Sequence, residues 1–497
     1  MQMNLIDNDL LSIQEARILA ENAKQAQTRL LTMPQEKLDC AVRAMAEVVA
    51  QNAKALAMES VDETDYGNWQ DKLIKNRFVS EYLPMHLEGM RCVGVISRDP
   101  QTQIMEIGVP LGVLVALPPA TNPVSTSVYK ALIAIKSGNA IIFSPHPRAK
   151  KVTSHVLELM IEAAMQAGLP EGAVSYLQTV TKAGTEALMN HPFVSMVMVT
   201  GVPGMLEAAK NSGKPVIYGG AGNGPAFIER SADIEQAARD IVASKTFDYG
   251  VVSAAEQSIV VDGPIEKEVH SALERHGGYF LNEEEAARLG KIFYFKDGTA
   301  NPEAIGKSAL SLAKWAKIDV PVQTKVLIVP QRYVSAHNPY SKEKLCPVLS
   351  YFIEDDWMNA CEKCIELLIT ERSGHTLVIH SKDEAVIEQF ALKKPVGRML
   401  INTPTVYGSM GMTTNLFPAM TLGSGVVGQG ITTDNVSPMN LIYKRKIGYG
   451  VRRIEELGVG APAVSDCRKA DAPEEAALRL DTLRTLLEEA LKNVRSR

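Results

Sequence analysis

The sequence predicts an α/β protein built on a doubly wound parallel sheet. Three observations carry that reading. Between residues 112 and 218, short apolar runs of strand length alternate with stretches of helical periodicity, the pattern of successive βαβ units. Four Gly- and Pro-rich loops follow those strand runs, at the carboxyl ends where open α/β sheets bind ligands. A chain of 497 residues is too long for one small core, so two or three domains are expected.

Composition removes several classes of function. The apolar and charged fractions, 46% and 22%, are those of an ordinary globular protein. A net charge of -5 implies no nucleic acid and no anionic membrane as partner. No apolar run reaches ~18 residues, so no transmembrane helix is expected. The first eleven residues carry Asp7 and Asp9 and no basic stretch, which argues against a signal peptide and for the cytoplasm. The six cysteines are scattered, as suits a reducing compartment. Cys361 and Cys364 form a CxxC with no second pair nearby; helix-face packing is the expected role, and no metal site is assigned.

Taken in order, residues 9–60 read as helices, with Leu38, Val42, Met45 and Val49 at helical spacing. Residues 92–107 read as a strand pair around the turn Arg98-Asp99-Pro100. Strands follow at 112–117, 140–143, 174–180, 196–199 and 215–218. Helices intervene at 124–135, 152–167, 184–189 and 203–210. The four loops are residues 118–123, 144–148, 200–204 and 219–225. A second α/β region runs from 226 to 430, with a helix at 234–243, strands at 259–262 and 326–329, and a helix at 360–368. Another strand-like run falls within 431–457. Residues 458–473 read as a linker rich in small residues. In the last stretch Leu480, Leu483, Leu487 and Leu491 share one face, an amphipathic helix over 474–497.

The most informative stretch is Ser244-Lys245-Thr246-Phe247-Asp248-Tyr249-Gly250-Val251-Val252-Ser253-Ala254-Ala255-Glu256-Gln257-Ser258. A polar, Gly-containing turn leads to an apolar pair and a small hydroxyl residue, and a β run follows. A chain presents a nucleophile from a rigid scaffold in this way.

With Thr121-Asn122-Pro123-Val124-Ser125-Thr126, Phe143-Ser144-Pro145-His146-Pro147-Arg148-Ala149-Lys150, Gly220-Ala221-Gly222-Asn223 and Asn402-Thr403-Pro404, this stretch resembles the CoA-acylating aldehyde dehydrogenases. The resemblance spans roughly residues 9 to 455. It implies the aldehyde dehydrogenase fold: a Rossmann-like NAD-binding domain over 1–227, a catalytic domain over 228–430, and an oligomerising β arm from about 92–110 with 431–457. It also implies NAD as cofactor, CoA as co-substrate, a short aldehyde such as acetaldehyde or propanal as substrate, and a homodimer or dimer of dimers. Relatives packed in bacterial microcompartments carry terminal helices as encapsulation tags. That makes residues 474–497 a candidate docking peptide for a shell or cargo partner; an oligomer-packing tail is the alternative.

The resemblance also assigns roles. Position 253 is the nucleophile's, and Asn122 with the N–H of residue 253 receives the adduct oxygen. Thr121, Ser144, His146, Arg148, Thr200, Gly201, Gly204, Gly220 and Glu343 are the expected cofactor contacts, with the pyrophosphate at the start of the helix after Thr200 and Glu343 at the nicotinamide ribose. Hydrolytic members carry a water-activating glutamate where this chain has Gly219, which favours acyl transfer to CoA. The departure is Ser253, a cysteine in the family. A thiol titrates near pH ~8.5, whereas a hydroxyl needs an adjacent base. No histidine is evident near the motif, and none of the cysteines stands in an obvious substitute position. The chain is therefore expected to be inactive or weak. It is either an inactivated form of an active enzyme or a relative with altered chemistry. The rival functions are a non-catalytic binding or assembly protein and a hydrolytic aldehyde dehydrogenase.

Overall fold

The computed structural model describes residues 7–295, 299–370 and 375–453. Within these, two helices, Asn8–Leu30 and Gln35–Thr64, open the chain and bury Leu38, Val42, Met45 and Val49. The predicted periodicity therefore faces the core. A further helix, Trp69–Arg77, starts on an Asn68 cap whose side chain accepts from Asp71 N–H.

The strands are β1 (Gly94–Asp99), β2 (Ile104–Pro110), β3 (Val113–Leu117), β4 (Ile141–Phe143), β5 (Val174–Tyr176), β6 (Val194–Thr200), β7 (Val216–Gly219), β8 (Pro225–Ile228), β9 (Ser258–Asp262), β10 (Gly278–Phe280), β11 (Val326–Pro330), β12 (Val348–Glu354), β13 (Thr376–His380), β14 (Arg398–Ile401) and β15 (Ile442–Gly448). They form a five-stranded sheet ordered β5-β4-β3-β6-β7, a seven-stranded sheet ordered β10-β11-β12-β9-β8-β13-β14, and a three-stranded sheet of β1, β2 and β15. All pairs in the first two sheets are parallel.

The five-stranded sheet is the doubly wound one. The chain starts at β3 and moves outward to β4 and β5. It then returns to the other side of β3 for β6 and β7. The strand order therefore reverses between β3 and β6, and the crevice lies beyond their carboxyl ends. Every residue of β3 is buried, as a strand covered on both faces must be. The helix Pro123–Lys136 is buried along its whole length. Its two buried ammonium groups are satisfied: Lys130 Nζ donates to Leu117 O (3.3 Å) and Met198 O (3.0 Å), and Lys136 pairs with Asp39 at 2.6 Å.

The helix expected at 203–210 is interrupted. It is a 3-10 turn, Pro203–Met205, followed by a six-residue helix, Leu206–Asn211. Cys361 and Cys364 are both buried on the helix Trp357–Thr370, and Cys361 Sγ lies 2.6 Å from Lys394 Nζ.

Two compact units are distinguished. The first is 1–97 with 106–445, and it holds both parallel sheets. The second, among the described residues, is 98–105 with 446–453. In it, the turn after β1 is fastened by Asp99, which accepts from Gln101 N–H (2.9 Å) and the Thr102 hydroxyl (2.6 Å). The expected linker at 458–473 and helix at 474–497 lie outside the described residues. Among the described residues no helix is long and apolar enough to cross a membrane.

Candidate active site

A cavity of about 330 Å³ lies within the first unit, and it collects most of the residues singled out above. From the first sheet come segments that follow strands: Thr121 and Asn122 after β3, His146 after β4, Thr200 and Gly201 at the end of β6, and Gly219 and Gly220 at the end of β7. From the second sheet come segments that precede strands: Val251, Val252 and Ser253 before β9, Glu343 to Cys346 before β12, and His375 before β13. The carboxyl ends of one sheet and the amino ends of the other thus share one cleft.

The glycines of the 219–225 loop allow this closeness. A side chain at Gly222 would run into the Ser253 backbone carbonyl, and one at Gly224 into the Thr376 carbonyl. The loop is then tied down from three sides. Gly222 N–H donates to Glu343 Oε1 (2.9 Å), Gln257 N–H donates to Gly224 O (2.9 Å), and Asn223 Nδ2 donates to Ser341 O (2.8 Å) and Leu367 O (2.9 Å).

The stretch leading to Ser253 turns through three consecutive left-handed residues: Asp248 (φ 48°), Tyr249 (φ 52°) and Gly250 (φ 74°). For the two non-glycine residues such a backbone is strained and persists only when its surroundings over-determine it. Here they do. Asp248 N–H donates to Asp71 Oδ2 (2.7 Å), and Asp248 Oδ1 accepts from Asn68 N–H (2.8 Å). Asp248 Oδ2 pairs with Lys72 at 2.9 Å and also with Lys75. All three side chains are at most 4% exposed. Removing one partner from such a buried pair costs about 3–5 kcal/mol. Gly250 packs against the backbone of Cys346, 2.9 Å from where its side chain would begin.

The same lysines reach the other wall. Lys72 Nζ donates to Thr121 O (2.9 Å), and Lys75 Nζ donates to Asn122 Oδ1. Burial lowers the Lys75 ammonium to about 8, and the Asp248 carboxylate pulls against that fall.

Several expected cofactor residues lie off this wall. Ser144 is buried with its hydroxyl on Thr185 Oγ1 (2.8 Å). Arg148 is engaged by Tyr66 Oη and by Glu303. Gly204 is not on the wall either, and a side chain there would meet open space. The helix behind it, Leu206–Asn211, is six residues long. What fits a nicotinamide-bearing cofactor is the bare backbone of Gly201, Gly219 and Gly220 at the strand ends. Gly201 adopts φ +60°, and a side chain there would sit 3.1 Å from Pro119 Cβ.

Two groups far from Ser253 in the sequence line the same cavity. A histidine does reach this cavity: His375, brought from over a hundred residues away. Burial, then the Arg398 guanidinium, hold its ring well below the usual histidine range, so it is neutral. Its Nδ1 lies 2.7 Å from Thr376 Oγ1. Ser253 Oγ makes no hydrogen bond to it or to any other described residue. A cysteine also reaches the cavity, Cys346. Burial pushes its thiol up to about 11, against the pull of the Lys245 and Lys344 ammonium groups, so it is a poor thiolate at neutral pH. Tyr66, Tyr218 and Lys75 are further residues at or behind the wall that no motif flagged.

The fold and the cavity define a class: a Rossmann-like sheet that shares a ligand cleft with a second parallel sheet. Comparison with known proteins makes this specific. The aldehyde dehydrogenase family matches residues 8–277, and the chain belongs to that family. It is 37% identical over 441 residues to the bifunctional aldehyde-alcohol dehydrogenase AdhE of Escherichia coli K12, covering 88% of this chain and 49% of that protein. It thus spans about half the length of that relative. It is 33% identical to the acetylating succinate-semialdehyde dehydrogenase of Clostridium kluyveri, over 87% of this chain and 95% of that protein.

Solved structures agree on the aldehyde dehydrogenase fold. An acetylating aldehyde dehydrogenase from Geobacillus thermoglucosidasius is 41% identical with a TM-score of 0.88, covering 90% of this chain and 99% of that one. A Rhodopseudomonas palustris propionaldehyde dehydrogenase with bound CoA and an acylated cysteine is 26% identical with a TM-score of 0.80, covering 87% and 97%. A propionaldehyde dehydrogenase of a Clostridium phytofermentans microcompartment is 27% identical with a TM-score of 0.80, covering 88% and 98%.

Proposed function

We propose that this chain is an NAD-linked, CoA-acylating dehydrogenase of short aldehydes in all but its nucleophile. The reaction is aldehyde + CoA + NAD⁺ → acyl-CoA + NADH + H⁺. One observation carries the reading: position 253 and Asn122 share a cavity whose wall has Gly219 where a water-activating glutamate would stand. Among the described residues that wall holds one carboxylate, Glu343, and its Oε1 already accepts from Gly222.

In this reading the side chain of residue 253 attacks the aldehyde carbon, and the carbonyl π pair moves onto oxygen. Asn122 Nδ2 and the N–H of residue 253 receive that oxygen, donors set in place before the charge develops. NAD, when bound, supplies the hydride acceptor, and Thr200, Gly201, Gly220 and Glu343 would hold its nicotinamide half, with Thr121 and His146 beside it. CoA supplies the thiol that takes the acyl group, because no carboxylate is placed to activate water instead. With Ser253 the attack lacks both a thiolate and a hydrogen-bonded base, so this form is weak or inactive. The names of the relatives, which include acetylating enzymes and a CoA-bound propionaldehyde dehydrogenase, support the substrate class.

Assembly and location extend the same proposal. The domains run 1–227, 228–430 and 431–457. The β arm joins two copies, and residues 474–497 dock the enzyme to a microcompartment partner. The microcompartment relative and the leucine face of that segment support the last point.

The test is Ser253→Cys, assayed for NADH with acetaldehyde. NADH that requires CoA is the expected result. NADH without CoA would point to hydrolysis. A folded, NAD-binding variant with neither would point to a non-catalytic protein.

A further inference from the structure

The helix Trp69–Arg77 lies outside every motif above, yet two of its buried side chains reach both walls of the cavity. An ammonium group has three donors and no acceptor. Whatever faces Lys75 Nζ must therefore accept, and at Asn122 that atom is Oδ1. The amide has only two ends, so Nδ2 is turned the other way. There, one of its hydrogens goes to Thr121 Oγ1 at 3.1 Å, and Asn122 lines the cavity. Lys75 is itself held by Asp248, the left-handed residue five positions before Ser253. Its ammonium also lies 5.7 Å from the Phe247 ring centroid. One carboxylate thus fastens the nucleophile-bearing stretch and, through Lys75, the amide on the opposite wall. Lys72 makes the parallel contact to the Thr121 carbonyl.

We propose that Lys75 is a positioning residue. Anchored by Asp248, it fixes the Asn122 amide with Nδ2 toward the reacting oxygen and keeps it in register with residue 253. The proposal rests on the reading of Asn122 as the oxyanion donor. Without Lys75 the amide is free to present oxygen, a repulsive group, to the developing negative charge. The loss therefore falls on kcat and not on aldehyde binding. Lys75→Met removes the donor while leaving Asp248 paired with Lys72.

The experiment is a double-mutant cycle in the full-length Ser253→Cys chain, with Lys75→Met, Asn122→Ala and both together. CoA-dependent NADH formation is the readout, and thermal melting and NAD binding check the fold. Asn122→Ala is expected to lower kcat about 100- to 1,000-fold, as loss of one oxyanion donor does. Lys75→Met is expected to lower kcat about 10- to 100-fold with the aldehyde KM within about threefold, and the double variant is expected to be no slower than Asn122→Ala alone. A Lys75→Met effect that multiplies that of Asn122→Ala would overturn the proposal, because Lys75 would then act independently of the amide. Lys75→Met with unchanged kcat, where Asn122→Ala is impaired, overturns the Lys75 role alone. Full activity in Asn122→Ala, or no turnover in the parent, overturns the reading on which both rest. Should Lys75→Met fail to fold, Lys75→Leu, which likewise has no donor for Asn122 Oδ1, carries the same comparison.

Discussion

Ser253 lines a cavity in which its hydroxyl has no hydrogen-bonded base among the described residues. The neutral His375 ring is committed through Nδ1 to Thr376, and Cys346 is held as a thiol. Neither neighbour rescues the serine, although both were out of sight in the linear sequence. Position 219 is where the choice between thiol and water as acyl acceptor is open to test. A side chain built there would begin 3.5 Å from Thr421 Cγ2 and 3.6 Å from Leu422 O, ordinary contacts that need no backbone shift. Gly219→Glu in the Ser253→Cys chain is expected to produce NADH without CoA, at least about tenfold above its parent, since a placed base is worth roughly 10²–10⁴. An unchanged CoA requirement would mean that water is excluded for another reason.

At the scale of elements, much of the first sheet was legible. Strands read at 112–117, 140–143 and 196–199 fall within a residue or two of β3, β4 and β6, because a sheet buried on both faces is written as continuous apolar runs. Asn122 and Gly201 were legible because each sits in a loop that follows a strand run, whereas Glu343 rested on the resemblance alone. Tyr66, Lys75 and His375 were not legible, because folding alone brings them from distant segments. The interrupted helix after Pro203 was also missed, since apolar spacing does not distinguish one long helix from a turn and a short one.

Lys130, in the buried helix Pro123–Lys136, gives this scale a pH test. Burial alone lowers its ammonium to about 7, whereas the unfolded chain titrates near 10.5. Between those values the unfolded state keeps a proton that the folded state has lost, so stability rises with pH across that window. Lys130→Met removes this dependence. In urea unfolding, the chain with Lys130 should therefore gain on the variant from pH 7 toward pH 10. A pH-independent difference would contradict the assignment.

Across the molecule, the feature the sequence did not announce is that two parallel sheets meet end to opposite end. The doubly wound sheet offers the carboxyl ends of β3, β4, β6 and β7, as its strand order requires. The second sheet offers the amino ends of β8, β9, β12 and β13, preceded by the loops that carry Ser253, Glu343 and His375. A cofactor held on one sheet and a covalent adduct held on the other would meet without either sheet distorting. This division of labour is the central claim, and intact-mass measurement tests it most directly. The protein, with Ser253 and as Ser253→Cys, is incubated with acetyl-CoA. One acetyl group on residue 253 of the cysteine variant, released by added CoA, with none on the Ser253 form, is the predicted result. No adduct on a folded Ser253→Cys variant, or an adduct elsewhere in the chain, would contradict the account.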